Sequence, residues 1–208
     1  MKKSLFLFFF MFFFLNLSAQ EFEKELKEAI KKKPKLEFRF DSRNSFISTS
    51  GVRIAGIKIG VQFDKKLSVG LGYNQLWSTI HKTNVEFKSQ FFKGELKFNY
   101  LSPYLEYTFY RDARWELSIP IQFGFGHSFY KNLEPEGPNQ LNKAFVISYE
   151  PAIAFEYRVL KYFGLGMGVG YRLMILPNRD IEERFTSPVY IFKTKIYFQE
   201  LYNKLRNR

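Results

Sequence analysis

From Leu36 onward the apolar residues alternate with polar or small ones, the period of strands whose two faces meet different surroundings. Leu67, Val69, Leu71, Tyr73 and Trp77 share one face, and Ser68, Gly70, Gly72 and Asn74 share the other. Further on, Trp115, Leu117, Ile119, Ile121, Phe123 and Phe125 oppose Glu116, Ser118, Gln122 and Gly124. Phe163, Leu165, Met167, Val169 and Tyr171 oppose Gly164, Gly166, Gly168, Gly170 and Arg172. The pattern predicts eight strands, near 36–41, 52–63, 67–78, 95–110, 115–130, 144–159, 163–175 and 188–199.

The connections alternate in length. Short turns fall at Asp64-Lys65-Lys66, at 111–114 and around Leu160-Lys161-Tyr162; long polar loops are expected near 42–51, 79–94, 131–143 and 176–187. The turns recur at steps of 47 and 48 residues, from Lys65 to Asp112 to Leu160. The chain therefore reads as four strand–loop–strand units joined at one end, whereas a propeller blade holds four strands per repeat. The apolar phase changes at Ala55-Gly56 and at Ser102-Pro103, which predicts β-bulges there. Pro120 and Pro151 also sit within strands, where the missing N–H weakens the case for unbroken pairing.

The apolar faces carry no charge. The opposite faces hold Glu37, Arg39, Lys58, Lys97, Glu106, Glu116, Glu150, Glu156, Arg172, Lys193 and Lys195, with many Gly and Ser. A soluble barrel or sandwich would turn the apolar face inward. A membrane barrel turns it to lipid and fills its interior with polar side chains. Strands of this length exceed the roughly 9–11 tilted residues that cross a bilayer. Tyr73, Trp77, Tyr107, Phe109, Trp115, Phe125, Tyr157 and Tyr171 cluster toward strand ends on the apolar face, as interfacial girdles do. Short turns on one rim and long loops on the other also fit the membrane reading, and an even strand count returns both termini to one side.

Composition adds location. Lys2 and Lys3 precede an apolar run from Leu5 to Leu15, followed by Asn16-Leu17-Ser18-Ala19-Gln20. This is the layout of a secretory signal peptide over 1–19, cleaved between Ala19 and Gln20, and it is too short for a comfortable membrane span. Losing it lowers the formal net charge from +12 to +10, and export argues against nucleic acid as the partner of that charge. Residues 20–35 carry a helical pattern: Phe22, Leu26, Ala29 and Ile30 share a side, glutamates lead, lysines follow, and Pro34 stops it. This periplasmic segment reads as a solvated tether or as a small membrane-surface or partner-binding helix. With no cysteine, disulfides, thiolate metal sites and a Cys nucleophile are excluded.

The layout resembles the eight-stranded outer-membrane barrels of the OmpA/OmpX type found in Gram-negative envelopes. The likeness covers 36–199 and rests on strand pattern and topology. It implies an all-β, antiparallel up-and-down transmembrane barrel at 36–199, with a short N-terminal helical segment and a periplasmic tail over 200–208. It implies outer-membrane lipid, lipopolysaccharide and the barrel assembly machinery as partners. Such barrels often end on an aromatic residue read by that machinery; here Phe198 closes the strand Tyr190 to Phe198 and the tail runs on to Arg208.

An eight-stranded barrel is just wide enough for its own side chains. The inward set, with Glu106, Glu116, Glu150, Glu156, Arg172, Lys193 and Lys195, is expected to form a paired ionic network filling the lumen. No cofactor or metal is expected. The alternative is a lipid-modifying enzyme, a lipid A acyltransferase or deacylase, which needs a Ser nucleophile with a His base in reach. Only His81 and His127 are available, and His127-Ser128 are strand neighbours that point to opposite faces. Asp180, Glu182 and Glu183 read as a solvated acidic turn, and His81, Lys82, Lys88 and Lys93 as a basic loop within reach of lipopolysaccharide phosphates. A secreted soluble barrel holding a hydrophobic ligand is the third reading. The expected function is a non-enzymatic outer-membrane barrel with an envelope-structural, surface-recognition or envelope-machine role.

Overall fold

The computed structural model describes residues 23–135 and 137–198, together with Tyr202 and Arg206. The expected signal segment 1–19, its Ala19–Gln20 cleavage and most of the tail 200–208 lie outside the described residues. A helix, α1, occupies 23–30. Nine strand segments follow: β1 (Lys35–Ile47), β2 (Ser50–Phe63), β3 (Leu67–Leu76), β4 (His81–Phe87), β5 (Gln90–Arg111), β6 (Trp115–Asn132), β7 (Gln140–Leu160), β8 (Phe163–Leu176) and β9 (Ser187–Tyr197). They pair antiparallel in the order β3-β2-β1-β9-β8-β7-β6-β5-β4, and β3 also pairs with β5. That last pairing, from Leu67↔Tyr107 to Gln75↔Asn99, closes eight strands into a ring. Closure gives each ring strand a partner on both sides, which removes the edges an open sheet would expose.

The ring has a turn rim, with the tight connections at 64–66, 112–114 and 161–162, and a loop rim opposite. Two of the four loops expected on the loop rim are mostly strand, and a third is partly so. Residues 42–51 become the top of β1, a two-residue turn at Ser48-Thr49 and the start of β2, with Ile47 paired to Ser50. Residues 79–94 form the β4–β5 hairpin, which continues the line of β3 above the ring and turns at Lys88-Ser89. The β6–β7 connection shrinks to 133–139, and 177–186 between β8 and β9 remains a loop.

The bulges expected at Ala55-Gly56 and Ser102-Pro103 are absent. β1–β2 and β2–β3 keep one unbroken register past Gly56, and β3–β5 does so past Pro103. Even-numbered residues point inward along the whole of β2 and from Phe92 to Thr108 of β5. What changes is the lining, because Val52 and Ile54 face inward above Gly56 while Lys58 and Gln62 face inward below it. Lys97, expected inside, therefore points outward, 2.6 Å from Glu95 on the same face. Irregular pairing occurs instead at Lys82/Val85, Thr108/Tyr110, Ser128/Tyr130, Ile147/Ser148 and Arg158/Leu160.

The interior thus has two zones. Toward the loop rim lies an apolar cluster containing Ile47, Ile54, Leu96, Phe98, Tyr130 and Leu141, into which Ile181 and Phe185 of the 177–186 loop insert. Phe185 packs on Phe98 with ring centroids 4.8 Å apart. Asn178 fastens the loop by donating from Nδ2 to the Ser128 and Asn142 carbonyls at 3.1 and 2.8 Å. Ser48 and Arg184 exchange bonds at its far end, Ser48 N to the Arg184 carbonyl at 2.9 Å and Arg184 N to Ser48 Oγ at 3.1 Å. The outer wall is the reverse of a soluble protein, with Leu71 and Ile175 each 60% exposed while Arg172 is 0% exposed. Phe185→Ala should remove the centre of the mouth packing and lower stability by about 3–5 kcal/mol, read from urea unfolding by tryptophan fluorescence.

Candidate functional site

Below the apolar mouth the lumen is filled by charge. Glu37, Asp41, Glu106, Glu116, Glu150 and Glu156 are buried with Arg39, Arg43, Lys58, Arg172, Lys193 and Lys195, six of each sign among the described residues. β1 supplies four of them from successive inward positions, Glu37, Arg39, Asp41 and Arg43. Its neighbours bring mostly cations to it. Lys193 lies across from Asp41 in the β1–β9 ladder, while Arg39 has Lys195 across from it on β9 and Lys58 on β2, so its counter-charges come from Glu37 on its own strand and Glu106 across the lumen.

Two carboxylates act as hubs. Glu150 accepts from Arg43 Nη1 at 2.7 Å and Gln122 Nε2 at 3.1 Å on one oxygen. Its other oxygen accepts from Arg172 Nε at 2.6 Å and the Tyr100 hydroxyl at 3.2 Å. Glu106 accepts from Arg39, from Lys193 Nζ at 3.0 Å and from the Ser118 hydroxyl at 2.9 Å. Glu37 lies between Arg39 Nη2 at 2.5 Å and Lys195 Nζ at 2.9 Å, and Asp41 between Arg43 Nη2 at 3.0 Å and Lys58 Nζ at 2.7 Å. The arrangement satisfies most buried charge by charge-assisted hydrogen bonds, the strong kind, in a space that excludes bulk water.

The seven residues singled out from the sequence all line the lumen. Glu106, Glu156 and Lys193 meet, with Lys193 Nζ 3.0 Å from the first and 3.6 Å from the second. Glu150 and Arg172 form a separate pair nearer the mouth. Lys195 turns to Glu37, and Glu116 sits at the turn rim with Arg111 and with Arg158 at 3.1 Å. Asp41 and Arg43 were missed because both faces of β1 are polar there, although the alternation Glu37, Arg39, Asp41, Arg43 is itself a period-two signal. Glycines on the inner wall make room for these long chains. A Cβ on Gly166 would lie 2.8 Å from Lys193 Cε, and one on Gly60 would lie 2.3 Å from the Tyr104 hydroxyl.

The remaining candidates separate. His127 points outward with its ring 5.6 Å from Phe145, whereas Ser128 is buried inside and accepts from Asn178 Nδ2 at 3.1 Å. Among the described residues no group of three His, Cys, Asp or Glu is placed to hold a metal ion. Lys82 pairs with Glu182 at 2.7 Å and Tyr130 with Glu183, so those two carboxylates of the 177–186 loop tie it to the wall.

The ring resembles solved barrels. Neisserial surface protein A matches with a TM-score of 0.54 and 11% identity, over 79% of this chain and 96% of that one. Ail of Yersinia pestis, solved in complex with the heparin analogue sucrose octasulfate, gives 0.48 and 9% over 78% and 96%. The N-terminal barrel domain of Pseudomonas aeruginosa OprF gives 0.46 and 10% over 79% and 98%. No family model and no curated protein sequence matches the chain. The fold is that of the eight-stranded outer-membrane β-barrels of the OmpA/OmpX type.

Removing one hub should cost more than removing a pair. Glu106→Leu leaves Arg39 with Glu37 alone and Lys193 with only the longer 3.6 Å contact to Glu156, and is expected to lose about 3–5 kcal/mol. The double variant Glu106→Leu/Lys193→Leu should recover part of that loss in the same urea titration.

Proposed function

We propose that the chain is a non-enzymatic integral protein of the outer membrane, crossing it by the eight-stranded ring with the turn rim in the periplasm and the loop rim outside. One observation carries the reading: the wall is apolar outside and ionic inside over the same strands. In water, such a wall would expose an apolar surface far beyond what a soluble monomer keeps. In a bilayer it meets lipid, while closure gives every strand of the ring a hydrogen-bonding neighbour on both sides.

The lumen argues for an anchor and against a conduit. Balanced charges fill its lower part, and the apolar mouth with Phe185 and Ile181 closes its upper part. Recognition then falls to the outer surface, the raised sheet of β4 to β7 and the 177–186 loop over the mouth. The role is surface recognition or envelope structure, with lipopolysaccharide and membrane lipid as the immediate surroundings. Phe198, exposed just past the end of β9, supplies the terminal aromatic feature for the assembly machinery. Export through the 1–19 signal belongs to the same reading.

Fractionation tests it. The protein should partition with outer membranes, resist SDS when unheated and change mobility after boiling. In planar bilayers the folded protein should give no conductance steps. Recovery in the soluble fraction without a mobility shift would invert the inside and outside of the barrel, and steady channels would remove the anchor role.

A further inference from the structure

The formal charge of the chain is unevenly placed. The lumen is balanced at six of each sign. At the loop rim, residues 48–53, 79–97, 127–145 and 176–187 hold nine Lys and Arg against seven Asp and Glu. At the turn rim, residues 23–35 with the connections 64–66, 111–114 and 158–161 hold twelve against five. The surplus is therefore a collar around the turn rim, and half of its cations lie on α1 and the residues just after it.

α1 is docked on this rim. Glu25 accepts a hydrogen bond from the Tyr107 hydroxyl at 2.7 Å and pairs with Lys66, and Lys32 Nζ lies 2.7 Å from Asp64. Tyr107 is an outward-facing residue of β5, directly opposite Leu67 at the foot of β3. The helix thus meets the outer side of the ring where the apolar wall ends. Helical spacing divides its surface: Glu25 and the buried Ala29 face the ring, Glu23 and Lys27 pair on the far side, and Leu26 and Ile30 form the flank between. Ile30 is 54% exposed, and Lys31 and Lys33, which follow it directly in the chain, are exposed as well, while Lys24 is exposed on the opposite flank of the helix.

We infer that α1 and the lysine run after it lie on the inner-leaflet phospholipid surface, with Ile30 dipping into the acyl boundary and Lys31 and Lys33 reaching headgroup phosphates. The inference rests on the membrane-barrel reading proposed above. An apolar flank beside flexible cationic stems is the side-chain arrangement of interfacial helices, whose lysines cover apolar surface and keep their charge at the headgroups. Each lysine near an anionic leaflet strengthens attachment roughly fivefold. Alone, eight residues make a marginal helix; the Glu25 and Lys32 contacts hold it at the height where a leaflet surface would meet it.

The chain has no cysteine, so Ile30→Cys carries an environment-sensitive fluorophore at one site. The full labelled chain is folded into vesicles of phosphatidylcholine alone or mixed with phosphatidylglycerol, each with acyl-brominated lipid as quencher. Strong quenching with phosphatidylglycerol is expected, falling to the phosphatidylcholine level in high salt or when Lys31 and Lys33 are changed to Gln, and unchanged when Lys24 on the opposite flank is changed to Gln. Equal, weak quenching in both lipids for a chain that shows the heat-dependent gel shift would overturn the inference and leave the barrel reading intact. A larger emission change on adding soluble polyglutamate than on adding phosphatidylglycerol would overturn it in favour of an acidic polymer. Absence of the gel shift would remove the barrel reading and the inference with it.

Discussion

A charge sealed inside a narrow ring must find its opposite there, since neither lipid outside nor bulk water can reach it. Eight strands leave room for side chains and little else. The lumen meets this constraint with equal numbers of each sign, and the rest of the wall is arranged around them. β8 contributes almost only glycine to the inside below Arg172, which frees the volume taken by Lys193 and Glu156. β5 contributes the hydroxyls of Tyr100 and Tyr104, each donating to a carboxylate that already serves two cations. Glycine, tyrosine and charge are parts of a single packing solution.

The same strands change character partway along without losing register. Toward the turn rim they are apolar outside and ionic inside, as a bilayer requires. Toward the loop rim Asn44, Arg53 and Lys97 point outward and Ile47, Ile54 and Leu96 inward, the pattern of a barrel in water. On β1, β2 and β5 the exchange falls near the level of Asp41, Gly56 and Ser102. A continuous ladder passes through it because hydrogen bonding of the backbone is indifferent to which face is wet.

That exchange governs how much of the fold was legible from the sequence. Alternation is a sharp signal wherever one face is uniform, so β3, β6 and β8 were located to within a few residues. At Ala55-Gly56 and Ser102-Pro103 the apolar phase truly reverses, and a bulge is the natural inference if inside and outside keep one polarity. The top of β1 was lost for a related reason: Asp41, Ser42, Arg43 and Asn44 are polar on both faces. The β4–β5 hairpin gave no turn signal, since Lys88 and Ser89 carry positive φ angles of 50° and 63° at positions where Gly or Asn is usual. Of the lumen, the charged positions on clean strands were readable, while their pairing was not. Register across β1, β5 and β9 decides whether Lys195 meets Glu37 or Glu156, and periodicity within one strand carries no information on its neighbour.

The raised sheet has a consequence for how this surface can diverge. Where a barrel ends in free loops, substitutions, insertions and deletions are tolerated almost anywhere along them. From β4 to β7 the exposed part is ladder instead, and every inward side chain supports the packing around Leu96 and Tyr130. A single inserted residue would turn each following side chain to the wrong face. Diversity in that sheet is therefore confined to alternate positions at constant length, and growth is left to its connections, the Lys88-Ser89 turn and residues 133–139.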